Sequence, residues 1–392
     1  MRINSILFLL IISCSTKEEI EKSGYIGETL EPTSFQFKDD VNADAAFFVD
    51  DPSSRILELK LADMSISKSF ALSNAGNEHT LASGPDGSYV IDFSTKHLEI
   101  IKTDGTRSEQ FLDFQGTPVS AAFDASLGIM VMLDDIYSVG LLMLSETGDL
   151  RKSWLGGSLI AAGKSLRAGD IDSKGNLLLS TSDDSIAIVN IEESIDAKEW
   201  VSESFATDLE NIYWIAPDSD LDGLSLLLSK ESLAIFNSNS GSISEQKELP
   251  SATMRVSINS KNGKPHVITT DKNGTTIQLH FINSGGSLDT VNIPPSGIDL
   301  FPISDSYLDK DLSTFTYFRT LFDGEYEISK FRLSDNLALF YKVIDSAGKA
   351  SLTPNHLFIN KEAPLGYLQV LDFESSLLKE LKGYNFEYFR QQ

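Results

Sequence analysis

Short runs of apolar residues recur along most of the chain, separated by clusters of Gly, Asp, Asn and Ser. Residues 89–92 (YVID) and 97–101 (HLEII) form one pair of runs, and residues 129–134 (IMVMLD) and 140–144 (GLLML) form another. Runs of this length between turn residues are typical of β-strands, and few segments show a helical period. The pattern therefore predicts an all-β protein.

The paired runs repeat at a regular spacing of 40 to 48 residues. Eight pairs begin at Phe47, Tyr89, Ile129, Asn176, Leu224, His266, Ser313 and His356. A four-stranded unit with such a period is the signature of a β-propeller blade. We expect residues 33–392 to form one β-propeller domain of eight repeat units. A count of seven blades stays open, because residues 33–37 or 384–389 would close a blade shared by the first and last units.

The N-terminus has the layout of a secretory signal peptide, which we place at residues 1–13. Arg2 supplies positive charge, residues 3–12 form an apolar run, and Ser13 follows. This run is too short to remain as a membrane-spanning helix. The polar and charged residues that follow, up to residue 32, predict a flexible tether.

Residues 11–14 (IISC) resemble the bacterial lipobox. The resemblance implies that Cys14 becomes the lipidated first residue of the mature protein, and that Ser15 permits sorting to the outer membrane. Cys14 is the only cysteine in the chain, so lipid attachment would use the only thiol of an exported protein. We expect a lipid anchor in the cell envelope; the alternative is an ordinary signal peptide.

Residues 89–105 read as an apolar strand ending in Asp92, a polar turn, and a second apolar strand followed by Asp104 and Gly105. This order resembles the repeats of NHL-type and lactonase-type β-propellers, and residues 49–57 repeat it more loosely. The resemblance covers roughly a third of the chain. It implies the propeller architecture and no particular activity.

Composition and charge narrow the classes of partner. The chain is 41% hydrophobic and 23% charged, as a globular protein is. It has 32 basic and 57 acidic residues, which give a net charge of −25. Such a chain repels phosphate backbones, so we exclude nucleic acid as a partner.

Residues 218–223 (DSDLDG) place Asp218, Asp220 and Asp222 at alternate positions before a glycine. Carboxylates in this pattern suit Ca²⁺, and the motif resembles the calcium loops of integrin-like propellers. The motif lies between the apolar runs at 213–215 and 224–228, which places it on the hairpin between the first two strands of a blade. Leu226 stands where the next acidic ligand of an integrin-like loop belongs. The alternative is a solvated turn without a metal.

Acidic residues also follow the second strand of several units. They are Asp50, Asp51, Asp92, Asp134, Asp135, Asp183 and Asp184. In a propeller these turns emerge on one face around the central channel, so they predict an acidic channel rim that attracts cations or basic peptides. The alternative is that Asp serves only as a turn residue.

Motifs for catalysis are absent from the sequence. The five His show no metal-ligand spacing along the chain, and no nucleophile elbow occurs. We expect a membrane-anchored lipoprotein whose propeller is a binding platform for an envelope protein or a small cationic ligand, without catalysis of its own. The alternative is a metal-dependent hydrolase or lactonase with its site at the channel mouth. A polysaccharide-binding function is a third hypothesis.

Overall fold

The computed structural model describes most of the chain after residue 44. The described residues are 45–50, 55–73, 79–84, 87–92, 96–102, 104–113, 116, 118–124, 127–134, 138–145, 149–158, 166–249, 255–259, 263–270, 276–293, 303–321, 325–344, 349–352, 355–361, 367–374, 376, 378–382 and 386–391. The expected signal peptide, Cys14 and the tether lie outside them, as do residues 33–37.

Eight four-stranded antiparallel sheets account for nearly all the regular structure in these ranges. Sheet 1 contains β1 (Ala45–Asp50), β2 (Arg55–Lys60), β3 (Ser65–Ala71) and the C-terminal β32 (Phe386–Gln391). Sheet 2 contains β4 (His79–Gly84), β5 (Gly87–Asp92), β6 (His97–Lys102) and β7 (Arg107–Phe111). Sheet 3 contains β8 (Pro118–Asp124), β9 (Ile129–Asp134), β10 (Ser138–Leu144) and β11 (Leu150–Ser158). Sheet 4 contains β12 (Leu166–Ile171), β13 (Asn176–Thr181), β14 (Ser185–Asn190) and β15 (Ser202–Ala206). The helix α1 (Ile191–Ala197) lies between β14 and β15.

The second half of the chain continues the same order. Sheet 5 contains β16 (Ile212–Pro217), β17 (Leu224–Ser229), β18 (Ser232–Asn237) and β19 (Ser242–Glu248), and sheet 6 contains β20 (Arg255–Asn259), β21 (His266–Thr270), β22 (Ile277–Ile282) and β23 (Leu288–Ile293). Sheet 7 contains β24 (Ile303–Leu308), β25 (Thr314–Thr320), β26 (Tyr326–Arg332) and β27 (Leu337–Ile344). Sheet 8 contains β28 (Lys349–Leu352), β29 (His356–Lys361), β30 (Tyr367–Asp372) and β31 (Leu378–Lys382). One sheet therefore corresponds to each repeat unit of the sequence.

The sheets are arranged in a closed ring. First strands of neighbouring sheets contact one another, as β12 contacts β16 and β24 contacts β28, so they lie innermost. β32 supplies the innermost strand of sheet 1 by pairing with β1, with Phe389 opposite Phe48. The closing strand thus comes from the C-terminus, and it also contacts β4 of sheet 2.

Apolar side chains fill the spaces between sheets. Leu57 and Leu59 of sheet 1 pack with Phe358 and Val370 of sheet 8, which joins the two ends of the ring. Similar clusters join sheets 3 and 4, 4 and 5, 5 and 6, 6 and 7, and 7 and 8. Because a sheet between two others is covered on both faces, its middle strands read as continuous apolar runs and not as alternating ones.

The ring has two faces, which we name by their turns. The hairpin face carries the turns between first and second strands, such as residues 218–223. The rim face carries the turns between second and third strands, such as residues 182–184, together with the connections to the next sheet. Second strands run from the hairpin face to the rim face, so Ala45 at the start of β1 lies at the hairpin face.

The regular structure of the described residues includes one short α-helix, the seven-residue α1. None of its helices has the length and apolar character needed to cross a bilayer.

Candidate functional site

Acidic residues at the ends of second strands occupy equivalent places in four consecutive sheets. Three are the last residues of β1, β5 and β9, and two lie in the turn after β13. These residues are Asp50, Asp92, Asp134, Asp183 and Asp184. Because second strands end at the rim face, all five lie on that face. The other two predicted rim residues, Asp51 and Asp135, lie outside the described residues.

The turn of residues 182–184 shows how one part of the rim is held. Asp183 is exposed, and its Oδ1 accepts a hydrogen bond of 2.5 Å from the Thr181 hydroxyl. Asp184 has a φ of 60° and accepts the Asn211 amide at 2.9 Å through Oδ1. The Asp184 carbonyl accepts the hydroxyl of Thr207 at 2.8 Å. Asp184 therefore ties the turn to the segment that enters sheet 5, while Asp183 faces solvent.

A basic side chain that the sequence analysis missed lies beside this turn. The guanidinium of Arg167 donates a hydrogen bond to Asn211 Oδ1, and Asn211 also binds Asp184. Arg167 is at a register shift near the start of β12, and β8, β16 and β24 have shifts at the same point. Such bulges redirect a side chain. No local sequence signal marks them, because the bulge residues are Val119, Arg167, Tyr213 and Ser304.

The predicted calcium hairpin lies on the opposite face, between β16 and β17. Asp218 is 2% exposed, and Lys264 Nζ lies 2.9 Å from both of its carboxylate oxygens. The same ammonium is 3.4 Å from Asp220 Oδ2. Asp222 points elsewhere and pairs with Lys174 Nζ at 3.1 Å. The structure thus gathers two of the three carboxylates around a lysine from sheet 6, and a Ca²⁺ ion there would have to displace that ammonium.

Lys264 reaches Asp218 because its own hairpin lies close to sheet 7. The Lys264 amide donates to the Leu308 carbonyl at 2.9 Å. Gly263 has a φ of +75°, and a Cβ at this position would lie 2.0 Å from that carbonyl oxygen. Only glycine fits this close approach, and it places the following lysine between sheets 5 and 7.

Asp218 also belongs to a repeated structural position. Asp124, Asp172 and Asp309 likewise end or follow the first strand of their sheets. Asp172 Oδ1 accepts the amide of Lys174 at 2.9 Å, as Asp218 Oδ1 accepts the amide of Asp220 at 3.0 Å. An Asp here closes its own hairpin turn, which is a common use of the residue. Aligning the repeats at this point would have identified the role.

A metal site within the described ranges would require several His, Cys, Asp or Glu side chains to converge. No three His, Cys, Asp or Glu side chains there converge in a way that would hold a metal ion.

Two buried histidines lie in sheet 6, away from the rim face. His266 Nδ1 is 2.8 Å from the Lys264 carbonyl and Nε2 is 2.8 Å from the Ser306 hydroxyl, which fits a neutral ring donating through Nδ1. Burial lowers the pKa of His266 to about 4. Burial, helped by the positive charge of Lys247, also lowers the pKa of His280 to about 4. Both rings bind neighbouring strands, so their role is to hold the fold.

Comparison with known proteins identifies the architecture. No family model and no curated protein matches the chain. Among solved structures, the dihydro-heme d1 dehydrogenase NirN in complex with DHE matches 91% of this chain and 77% of its own, with a TM-score of 0.60 and 10% identity. Apo AztD from Citrobacter koseri matches 90% of this chain and 100% of its own, with a TM-score of 0.52 and 12% identity. The chain is a β-propeller. At such low identity the likeness shows the fold alone, and the β-propeller's function has to be argued from its own residues.

Proposed function

We propose that this β-propeller is a lipid-anchored binding platform of the cell envelope, and that its rim face binds a cationic partner. The partner would be a basic segment of an envelope protein or a small cationic ligand. The observation that carries the proposal is the recurrence of Asp at the same strand end in four consecutive sheets. Side by side, such charges sum to a field that raises the local concentration of cations.

The position of the first described strand supports a rim face that is accessible to a partner. Ala45 lies at the hairpin face, on the side opposite the acidic turns, and in our proposal the lipid anchor approaches the ring from that side. Anionic lipids would also repel a rim of carboxylates. Both effects would keep the rim face accessible to a partner.

The other cluster of acids does not compete for this role. Asp218 and Asp220 of the hairpin face already pair with Lys264. Asp183 is exposed at the rim face, where an incoming cation can approach its carboxylate. The rim face therefore fits a cationic ligand better than the hairpin face does.

A binding experiment with a matched control tests the platform. The triple variant Asp92→Asn, Asp134→Asn, Asp183→Asn should bind a fluorescent oligolysine peptide about tenfold more weakly, at roughly 0.5 kcal/mol per charge removed. The loss should shrink at high salt. Fluorescence anisotropy measures both effects.

The control variant removes three exposed acids elsewhere: Asp196→Asn, Asp222→Asn and Asp289→Asn. It should bind the peptide as the unmodified protein does. Equal weakening in both variants would show that net charge, and not the rim, attracts the peptide. Cys14→Ala tests the anchor separately, since it should release the protein from the membrane fraction or block its maturation.

A further inference from the structure

The outer strand of sheet 7 differs from the other outer strands of the ring. Leu337, Leu339, Tyr341 and Val343 of β27 are exposed by 49%, 44%, 56% and 38%. Leu339, Tyr341 and Val343 alternate along the strand with the less exposed Phe340 and Lys342. An edge strand is normally protected by charge, Pro or short length, so a long apolar edge points to a partner.

Other outer strands of the ring expose mainly polar and charged residues. β7 exposes Arg107, Ser108 and Glu109 and has a single exposed apolar residue, Phe111, at its end. β19 exposes Gln246, Lys247 and Glu248. β3 exposes Lys68 and Ser69 in its middle. Only at sheet 8 does a described apolar residue extend the surface of β27, because Leu378 of β31 is 40% exposed. We call the five residues Leu337, Leu339, Tyr341, Val343 and Leu378 the outer patch.

Two lysines lie beside the outer patch, in a sector of the chain without net charge. Lys342 Nζ lies 3.1 Å from the Ser376 carbonyl oxygen, and Lys379 Nζ lies 2.7 Å from the Asp63 carbonyl oxygen. From Tyr326 to the C-terminus the chain carries eight basic and eight acidic residues. The whole net charge of −25 therefore belongs to residues 1–325. The sector that holds the outer patch is the least repelled by an anionic surface.

We propose that the outer patch docks onto the headgroup region of the membrane, so that the ring lies with its side against the bilayer. Exposed Leu and Val beside Lys, with a Tyr among them, is the composition of interfacial membrane contacts. The inference rests on the proposed lipid anchor, which keeps the patch close to the bilayer. Linked in this way, a weak second contact becomes effective because it is intramolecular.

A second copy of the chain fits the outer patch less well. Stable protein interfaces use roughly 20 to 30 residues on each side, whereas five residues make up this patch. A tethered membrane contact needs no such area. In the docked orientation both faces of the ring would open sideways, and the acidic rim would stay accessible.

The lone cysteine makes a direct experiment feasible. Lipid on Cys14 consumes the natural thiol, so Tyr341→Cys introduces a single site for an environment-sensitive fluorophore. The lipidated full chain is placed in phosphatidylethanolamine–phosphatidylglycerol vesicles containing nitroxide lipids. The matched control is Phe111→Cys, because Phe111 is 74% exposed on the outer strand of sheet 2.

Nitroxide lipids should quench the probe at position 341 several-fold more than the probe at position 111. Adding Leu339→Glu and Val343→Glu should abolish the difference without changing the thermal unfolding midpoint, whereas Leu150→Glu on β11 should leave it intact. Flotation with the vesicles reports the anchor independently.

The outcomes separate the two proposals. Equal quenching at both positions in a chain that floats overturns the docking and leaves the anchor standing. A probe at 341 that is shielded from aqueous iodide but not quenched by nitroxide lipids indicates a second copy, and it also overturns the docking. A chain that does not float overturns the anchor, and this inference with it.

Discussion

Two Asp-rich turns on opposite faces of the ring use the same residue in different ways. In the hairpin of residues 218–223, Asp218 is buried and held by Lys264 from another sheet. In the turn of residues 182–184, Asp183 is exposed and accepts a hydrogen bond from the nearby Thr181 hydroxyl. The first turn joins sheets together, and the second presents charge to solvent. The number of carboxylates in a turn therefore says less about function than the cation that reaches them.

The largest expected effect comes from removing the lysine of the hairpin face. Lys264→Met should destabilise the protein by about 3–5 kcal/mol, because it leaves the Asp218 carboxylate buried without a countercharge. The free energy of unfolding in urea measures the loss. The double variant Asp218→Asn, Lys264→Met should recover most of it, since no buried charge remains.

A second lysine of the same face provides the control. Lys174→Met breaks a pair in which the Lys174 and Asp222 side chains are 44% and 68% exposed, so it should cost less than about 1 kcal/mol. Equal losses for the two lysines would remove the contrast between buried and exposed pairs. Calcium chloride should leave the unfolding midpoint of the unmodified protein unchanged; a rise would show that Ca²⁺ displaces Lys264 and would support the calcium hypothesis.

Acid should lower the free energy of unfolding, because sheet 6 contains two buried histidines. The pKa of His266 is about 4 in the folded protein and 6.5 without the fold, so the unfolded chain binds a proton more readily. The contribution of His266 to the free energy of unfolding is therefore fully present above pH 6.5. It is lost as the pH drops from 6.5 to 4, by up to about 3 kcal/mol. Urea unfolding across this range measures the slope.

The variant His266→Gln should flatten this slope, whatever its effect on stability at pH 8. The slope that remains should include the contribution of His280, whose pKa is also about 4. An unchanged slope in the variant would mean that His266 does not titrate in the way its burial implies.

The ring could be predicted from the sequence because each sheet is built from local information. Apolar runs such as residues 129–134 need only their own hairpin partners, and turns with Gly and Asp repeat at the same interval. The closing strand was harder, because residues 33–37 and 384–389 both fitted the pattern. Pairing between the ends of the chain decided for β32, and no local sequence feature determines such a pairing.

The site was less predictable because its contacts cross between sheets. Lys264 is 46 residues from Asp218, and Arg167 is 44 residues from Asn211. Each pair spans about one repeat, so it joins equivalent places of neighbouring sheets. The spacing of the three carboxylates in residues 218–223 left a calcium loop and a solvated turn both open, and it gave no indication that Lys264 would pair with Asp218.

The smallest effects should distinguish two neighbours within the rim turn. Asp183→Ala should change the free energy of unfolding by less than about 0.5 kcal/mol, since an exposed surface residue contributes little. Asp184→Ala should cost about 1–2 kcal/mol, because it leaves the Asn211 amide without its acceptor and places alanine at a φ of 60°. The order reverses for binding of oligolysine, where Asp183 should matter more because it is the more exposed of the two residues. If both substitutions changed stability and binding in proportion, the turn would serve the fold alone, and Asp183 would not belong to the cation-binding rim.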